Sequence, residues 1–266
     1  MNNITDAEFG RFQRFIFDAA GITLSPGKKA LVCGRLSKRL QANNLSNYGA
    51  YFELLDSGRD AAEVQTAVDL LTTNETYFFR EPKHFELLRE LATAAAGRGQ
   101  PFRVWSAASS TGEECYSIAM VLADVLGSAA WEVVGTDIST RVLQRARAGH
   151  YPMERARNVP PAYLKRFCLK GHGDQEGTLL VERALRNRVT FAHVNLNAEL
   201  PRLGQFDVVF LRNVMIYFNG DTKRQVVARV LSLLKPGGHF CIGHSETLND
   251  ISTAVAQVAP SIYRKP

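Results

Sequence analysis

Phe102-Arg-Val-Trp-Ser-Ala-Ala-Ser-Ser-Thr-Gly112-Glu-Glu114, followed by Trp131-Glu-Val-Val-Gly-Thr-Asp137, reads as a strand, a tight turn of small residues, a helix and a second strand ending on a carboxylate. In an open α/β sheet the ligand crevice lies at the carboxyl ends of the strands. An acid closing the second strand is placed there to accept hydrogen bonds from a ribose diol. Asp137 therefore points to a nucleoside-bearing cofactor. The turn, Ala107-Ala-Ser-Ser-Thr-Gly112, is not G-x-G-x-x-G and lacks the glycines that let a backbone close around a pyrophosphate. A cofactor without phosphates is favoured, and S-adenosylmethionine is the obvious one.

Working outward, the pattern predicts a strand over 102–108, a helix over 113–126, a strand over 131–137 and a helix over 139–148. Phe206-Asp-Val-Val-Phe-Leu-Arg-Asn213 is an apolar run typical of a buried parallel strand. A helix over 221–234, the turn Lys235-Pro-Gly-Gly238 and a strand over 239–243 follow. This alternation predicts a doubly wound, Rossmann-like α/β sheet. Gly171-His-Gly-Asp-Gln-Glu-Gly177 reads as a turn, and 178–182 and 188–193 read as short strands. An inserted antiparallel β subdomain is expected over about 168–193.

Upstream, residues 1–71 carry apolar residues at helical spacing, with Phe9, Phe12 and Ile16 in one run and Val32, Leu36 and Leu40 in another. A small all-helical N-terminal domain is expected. Its first helix opens with a capping box, Thr5-x-x-Glu8, and its second, over 26–41, begins Ser25-Pro26. Between Ala19 and Phe52 stand five basic residues, Lys28, Lys29, Arg35, Lys38 and Arg39, and no acid. This is a local positive field suited to an acidic partner, or else a solvated basic face. Residues 72–90 form a linker, opening with Thr72-Thr-Asn-Glu-Thr-Tyr-Phe-Phe-Arg80, ahead of the larger domain over 91–266.

With 266 residues, 45% of them hydrophobic and 22% charged, the chain is expected to be globular throughout, with a net charge of +6. The N-terminus lacks a basic segment followed by an apolar run, and nothing approaches the roughly 20 apolar residues that span a bilayer, so a cytoplasmic location without membrane insertion is expected. Four scattered cysteines fit reduced, packed thiols. No metal site is expected, because the spacings used by zinc are missing. His193 and His239 read as structural.

The chain closely resembles the chemotaxis receptor methyltransferases, the CheR family. The resemblance rests on 72–80, Trp105-Ser-Ala-Ala-Ser-Ser-Thr-Gly-Glu-Glu114, Tyr116-Ser-Ile-Ala119, Gly135-Thr-Asp-Ile138, Arg212-Asn-Val-Met-Ile-Tyr-Phe218, and Lys235-Pro-Gly-Gly238 through Gly243-His-Ser-Glu246. It implies an enzyme that moves a methyl group from S-adenosylmethionine to glutamate side chains on the cytoplasmic helices of chemoreceptors, leaving S-adenosylhomocysteine. It assigns cofactor contacts to Asn74, Thr76, Arg80, Glu113, Asp137, Asn195, Leu196, Arg212, Asn213 and Tyr217. Asn195 and Leu196 also offer a polar group and an apolar surface suited to adenine, whereas Glu113, opening a helix, would gain from the macrodipole in any case. The Gly171, Gly173 and Gly177 loop resembles that of members that grip a receptor's C-terminal peptide tail, and would serve equally as a plain hairpin turn.

A glutamate carboxylate, with an ordinary pKa of about 4.3, is ionised at neutral pH and needs no general base. Arg80, helped by Tyr217, is expected to orient it, or else to hold the cofactor's own carboxylate. The basic helix, through Lys28, Arg35, Lys38 and Arg39, would face acidic receptor helices. Reversing Arg35 and Arg39 is expected to slow methylation and spare cofactor affinity. Nucleic acid is set aside as a partner, since Leu211-Arg-Asn-Val214 is no Asn/Asp-Pro-Pro-aromatic string and no Pro-Cys pair occurs. A non-catalytic, cofactor-sensing receptor adaptor and a methyltransferase acting on another acidic protein are the alternatives. A monomer is expected.

Overall fold

The computed structural model describes residues 4–97 and 99–266; residues 1–3 of the expected helical domain and Arg98 of the larger one lie outside it. Four helices come first: α1 (Asp6–Ala20), α2 (Lys29–Ala42), α3 (Tyr48–Asp56) and α4 (Ala61–Leu71). The capping box forms as read, with the Thr5 side chain accepting from the Glu8 N–H and the Glu8 carboxylate accepting from the Thr5 N–H. Ser25-Pro26 opens a short 3₁₀ turn, Pro26–Lys28, rather than the first turn of α2.

Helix α5 (Lys83–Ala95) leads into β1 (Phe102–Ser106), α6 (Glu113–Leu126), β2 (Trp131–Asp137) and α7 (Thr140–Ala148). Then come β3 (His150–Pro152), α8 (Pro161–Phe167), β4 (Cys168–Lys170), β5 (Thr178–Val181), α9 (Arg183–Arg186) and β6 (Val189–His193). The chain closes with β7 (Phe206–Leu211), α10 (Gly220–Ser232), β8 (Leu234–Ile242), β9 (Ala256–Ala259) and β10 (Ile262–Arg264).

The main sheet runs β6-β2-β1-β7-β8-β10-β9, with β6 through β8 mutually parallel and β10 and β9 antiparallel at one edge. Strand order reverses at β1, which pairs β2 on one side and β7 on the other. The crevice at its carboxyl end is thus the topological switch point of a doubly wound sheet. Successive residues alternate between two apolar clusters, as the period of a strand requires. Trp105, Val209 and Phe240 join the cluster that contains Phe9, Phe12, Leu36 and Tyr51, while Val104, Val208, Phe210 and Cys241 join the one beneath α5 and α6. The helical segment and one face of the sheet therefore share a single core.

Two sequence expectations change. Residues 189–193 do not belong to the inserted β element; they pair in parallel with β2, Val133 against Val189 through Asp137 against His193. The small antiparallel sheet is instead β3-β5-β4, drawn from 150–152, 168–170 and 178–181. The expected turn at 235–238 lies inside β8, whose pairing with β7 slips between Phe206 and Val208 to absorb it.

Candidate active site

The turn after β1 aims backbone N–H groups at the end of β2. The Ser110 N–H donates to Asp137 Oδ2 at 2.9 Å and the Ser139 N–H to Oδ1 at 2.9 Å. Gly112 closes the turn at φ +95°, where an added Cβ would lie 2.8 Å from Ala146 Cβ. Burial pushes the Asp137 carboxyl above its ordinary value, against these two N–H donors. Asp137 is thus a fixed, buried acceptor at the crevice floor.

A cleft opens there. Its lining includes Asn74, Thr76, Arg80, Asp137, Asn195, Leu196, Arg212, Asn213 and Tyr217, so nine of the ten expected cofactor residues converge. The walls are apolar through Ile22, Ile138, Val194, Leu196 and Phe218, a surface suited to a planar base.

Glu113 is the exception. It is buried outside the lining, its Oε2 accepting from Thr111 Oγ1 at 2.6 Å and its Oε1 lying 3.4 Å from Arg155. Its neighbour Glu114 lines the cleft in its place, accepting from Ser106 Oγ at 2.6 Å and from Arg212 Nη1 at 2.9 Å. Consecutive residues at a helix start project about 100° apart, and nothing in the string Gly-Glu-Glu tells which one faces the ligand. Desolvation raises the Glu114 carboxyl, and the Arg212 charge opposes that rise.

Arg212 is itself buried and committed. Beyond Glu114 it donates to the Arg80 carbonyl and lies 3.1 Å from Glu81 Oε2. Arg80 differs: it donates to the Glu75 carbonyl at 3.3 Å, rests over the Tyr77 ring, and makes no ion pair among the described residues. The cleft thus contains one neutralised guanidinium and one available to a carboxylate.

Three positioning contacts were not legible beforehand. Glu246 accepts from the N–H groups of Asn213 (2.9 Å), Met215 (2.8 Å) and Gly243 (2.7 Å), holding the loop after β7 with Asn213 at φ +56°. The sequence offered only the string Gly-His-Ser-Glu as a signal. Glu81 accepts from the His244 N–H at 3.2 Å and Asn213 Nδ2 at 3.4 Å, tying the linker to the same loop. The Asn195 amide, expected at an adenine edge, donates to the Ala19 carbonyl at 2.7 Å and accepts from the Asn197 N–H at 2.9 Å. Its side chain fastens the end of α1 to the cleft wall.

The basic helix is only partly free. Arg35 donates to the carbonyls of Leu71 (3.1 Å) and Thr72 (3.0 Å) and to Thr73 Oγ1 (3.2 Å). Arg39 pairs with buried Glu63, which also accepts from the Tyr51 hydroxyl at 2.6 Å. Lys29 pairs with Asp6 at 2.7 Å. Lys28 and Lys38 are exposed. These contacts put Arg35 against the backbone that leads to Asn74 and Thr76, which argues against the expectation that its reversal would spare cofactor affinity.

On the small sheet β4 pairs, among the described residues, with β5 alone and leaves its outer edge open, with Leu169 half exposed. Gly171, Gly173 and Gly177 shape the adjoining loop. A Cβ on Gly171 would meet the Gln175 carbonyl oxygen at 1.9 Å.

Comparison with known proteins gives consistent matches over nearly the whole chain. Residues 7–72 match the model for the CheR methyltransferase all-alpha domain, and 74–263 match that for the CheR methyltransferase SAM binding domain. The chain is 43% identical over 263 residues to the chemotaxis protein methyltransferase of Escherichia coli K12, covering 98% of this chain and 91% of that protein. It is 42% identical over 262 residues to chemotaxis protein methyltransferase 2 of Pseudomonas aeruginosa, covering 97% and 93%.

Proposed function

The chain belongs to the CheR methyltransferase family, a family of S-adenosylmethionine-dependent methyltransferases of chemotaxis, and on that premise we propose that it forms γ-carboxyl methyl esters on glutamate side chains of chemoreceptor cytoplasmic helices. The observation that carries this reading is the contrast between the two cleft guanidiniums. Arg212 is spent on Glu114 and Glu81, while Arg80 remains open to an incoming carboxylate.

The donors present fit the cofactor. Asp137 would accept from the ribose hydroxyls, Glu114 from the methionine ammonium, and the walls at Ile138 and Leu196 would enclose the adenine. When bound, S-adenosylmethionine supplies an electrophilic methyl group on a sulfonium. The glutamate oxygen bonds to the methyl carbon as the carbon–sulfur bond breaks, leaving a neutral ester and S-adenosylhomocysteine with no proton to move. Because opposite charges annihilate along this path, alignment and exclusion of water lower the barrier most. Arg80 matches a carboxylate with its planar fork, and Tyr217 borders the same space. All of these residues come from one chain, so a monomer suffices.

Lys28 and Lys38 would steer acidic receptor helices towards the cleft from the cytoplasmic side of the receptor arrays, with Arg35 and Arg39 shaping that face from within. The open edge of β4 suits addition of an extended receptor tail as a further strand, the 171–177 loop closing beside it. To test the whole reading, methyl-labelled S-adenosylmethionine is supplied with receptor cytoplasmic fragments, with and without their C-terminal tails. We expect base-labile label on both and greater efficiency on tailed fragments. Gly171→Val should erase the tail's advantage alone. Equal efficiency on both fragments would remove the tether, and no label at all would favour a non-catalytic adaptor.

A further inference from the structure

Behind the cleft, Glu81, His84 and His244 bring one ligand atom each within 4.8 Å of one another. Glu81 Oε2 lies 3.6 Å from His84 Nδ1 and 3.8 Å from His244 Nε2. His84 Nδ1 is shut off from solvent with no hydrogen-bond partner and His84 is only 1% exposed, while the equally buried Glu81 Oε2 has the Arg212 guanidinium 3.1 Å away. Buried polar atoms are rarely left in that condition.

The surrounding network decides what is missing. His84 Nε2 lies 2.9 Å from Ser261 Oγ, and the single hydroxyl proton of Ser261 is donated to the Pro260 carbonyl at 2.7 Å. Ser261 Oγ must therefore accept from His84, which assigns the imidazole proton to Nε2 and leaves a lone pair on Nδ1. That lone pair faces a carboxylate oxygen across 3.6 Å. Arg212 reaches the carboxylate oxygen but not Nδ1, and a cation held between the two acceptors would satisfy both. A histidine whose outer N–H is held by a neighbouring oxygen is also the usual arrangement of a metal ligand.

We propose that Glu81, His84 and His244 bind a divalent transition-metal ion of the zinc class. Two imidazoles and one carboxylate favour such an ion over magnesium or calcium, which prefer oxygen ligands alone. Metal–ligand bonds of about 2.0–2.2 Å span the two measured separations, and His244, whose side chain is 52% exposed, is free to swing the remaining distance. The fourth position opens on that exposed side. Glu81 follows Arg80 directly and His244 lies on the loop braced by Glu246. Occupancy would therefore stiffen the junction of the linker with the cleft loops.

The test uses the full-length, tag-free protein stripped of metal by a chelator. It is titrated with zinc by calorimetry and with cobalt(II) by visible absorption. One equivalent should bind, with the absorption bands of four-coordinate cobalt and a raised unfolding temperature. His244→Ala, at a half-exposed position, should weaken binding at least tenfold, while His172→Ala, on the small sheet's loop, should leave it unchanged. Absence of saturable binding, or affinity undiminished by His244→Ala, overturns the proposal.

Discussion

At the scale of single residues, adjacent glutamates perform different work. Glu114 faces the cleft and neutralises Arg212, whereas Glu113 is sealed against Thr111 and Arg155. Glu114→Gln should weaken S-adenosylhomocysteine binding roughly 10-fold or more by calorimetry, the cost of a charged hydrogen bond, and Glu113→Gln much less. The reverse ranking would mean that the cleft is assigned to the wrong carboxylate. A second residue-scale case is Arg39, whose partner Glu63 has a side chain only 5% exposed. Arg39→Met should cost about 2 kcal/mol in urea unfolding at pH 7, somewhat less than for a fully buried pair because Arg39 is partly solvated. The hydrogen bond from Arg39 holds the Glu63 carboxyl below its ordinary value. A depressed carboxyl contributes its stability above the unfolded pKa of about 4.3 and loses it as pH falls through the folded value. The gap between wild type and variant should therefore close on acidification below that point, and a gap independent of pH would refute the assignment.

At the scale of elements, strands and helices whose period matched their burial were legible in advance. The 113–126 helix and the 131–137 strand occur with those bounds, because a Gly at each helix end and an acid at the strand end mark them. Residues 188–193 misled because a short strand such as Val189–His193 looks the same whether it joins a hairpin or a parallel edge, and only its pairing with β2 decides. The basic face was legible only in part for a related reason: helical spacing groups Arg35 and Arg39 on α2 but says nothing of Glu63 or the Leu71 carbonyl, which arrive from α4. Two outcomes separate these roles. The double change Lys28→Glu and Lys38→Glu should raise KM for receptor fragments several-fold, less so at high salt, with cofactor affinity unchanged. Arg35→Ala should instead weaken cofactor binding, since it frees the 71–73 backbone that leads to Asn74. If Arg35→Ala leaves cofactor affinity intact, the buttress is not one.

At the scale of the whole molecule, the cleft exists because two sequence-distant units share a core. The segment after α1 pairs with the loop after β7, through the bridge between Ile22 and Phe218 and the Thr23 N–H to Tyr217 carbonyl bond of 2.8 Å. Ala20 and Ile22 from the helical segment then wall the same cleft that Asp137 floors. Sequence reading located the sheet and the cofactor class, and nine of the ten residues it named line the cleft, since those lie at strand ends and in short strings. It did not reveal the braces at Glu81 and Glu246, which depend on contacts across the fold. Among the described residues no helix is long and apolar enough to cross a membrane.

The central claim, methyl transfer to a glutamate oxygen guided by Arg80, is tested most directly by fragment mass spectrometry of a receptor cytoplasmic domain incubated with the protein and deuteromethyl-labelled S-adenosylmethionine. The account predicts label on glutamate side chains, lost on brief alkaline treatment, and reduced at least tenfold by Arg80→Ala. Label on any other residue type, label stable to base, or an undiminished yield with Arg80→Ala would contradict it.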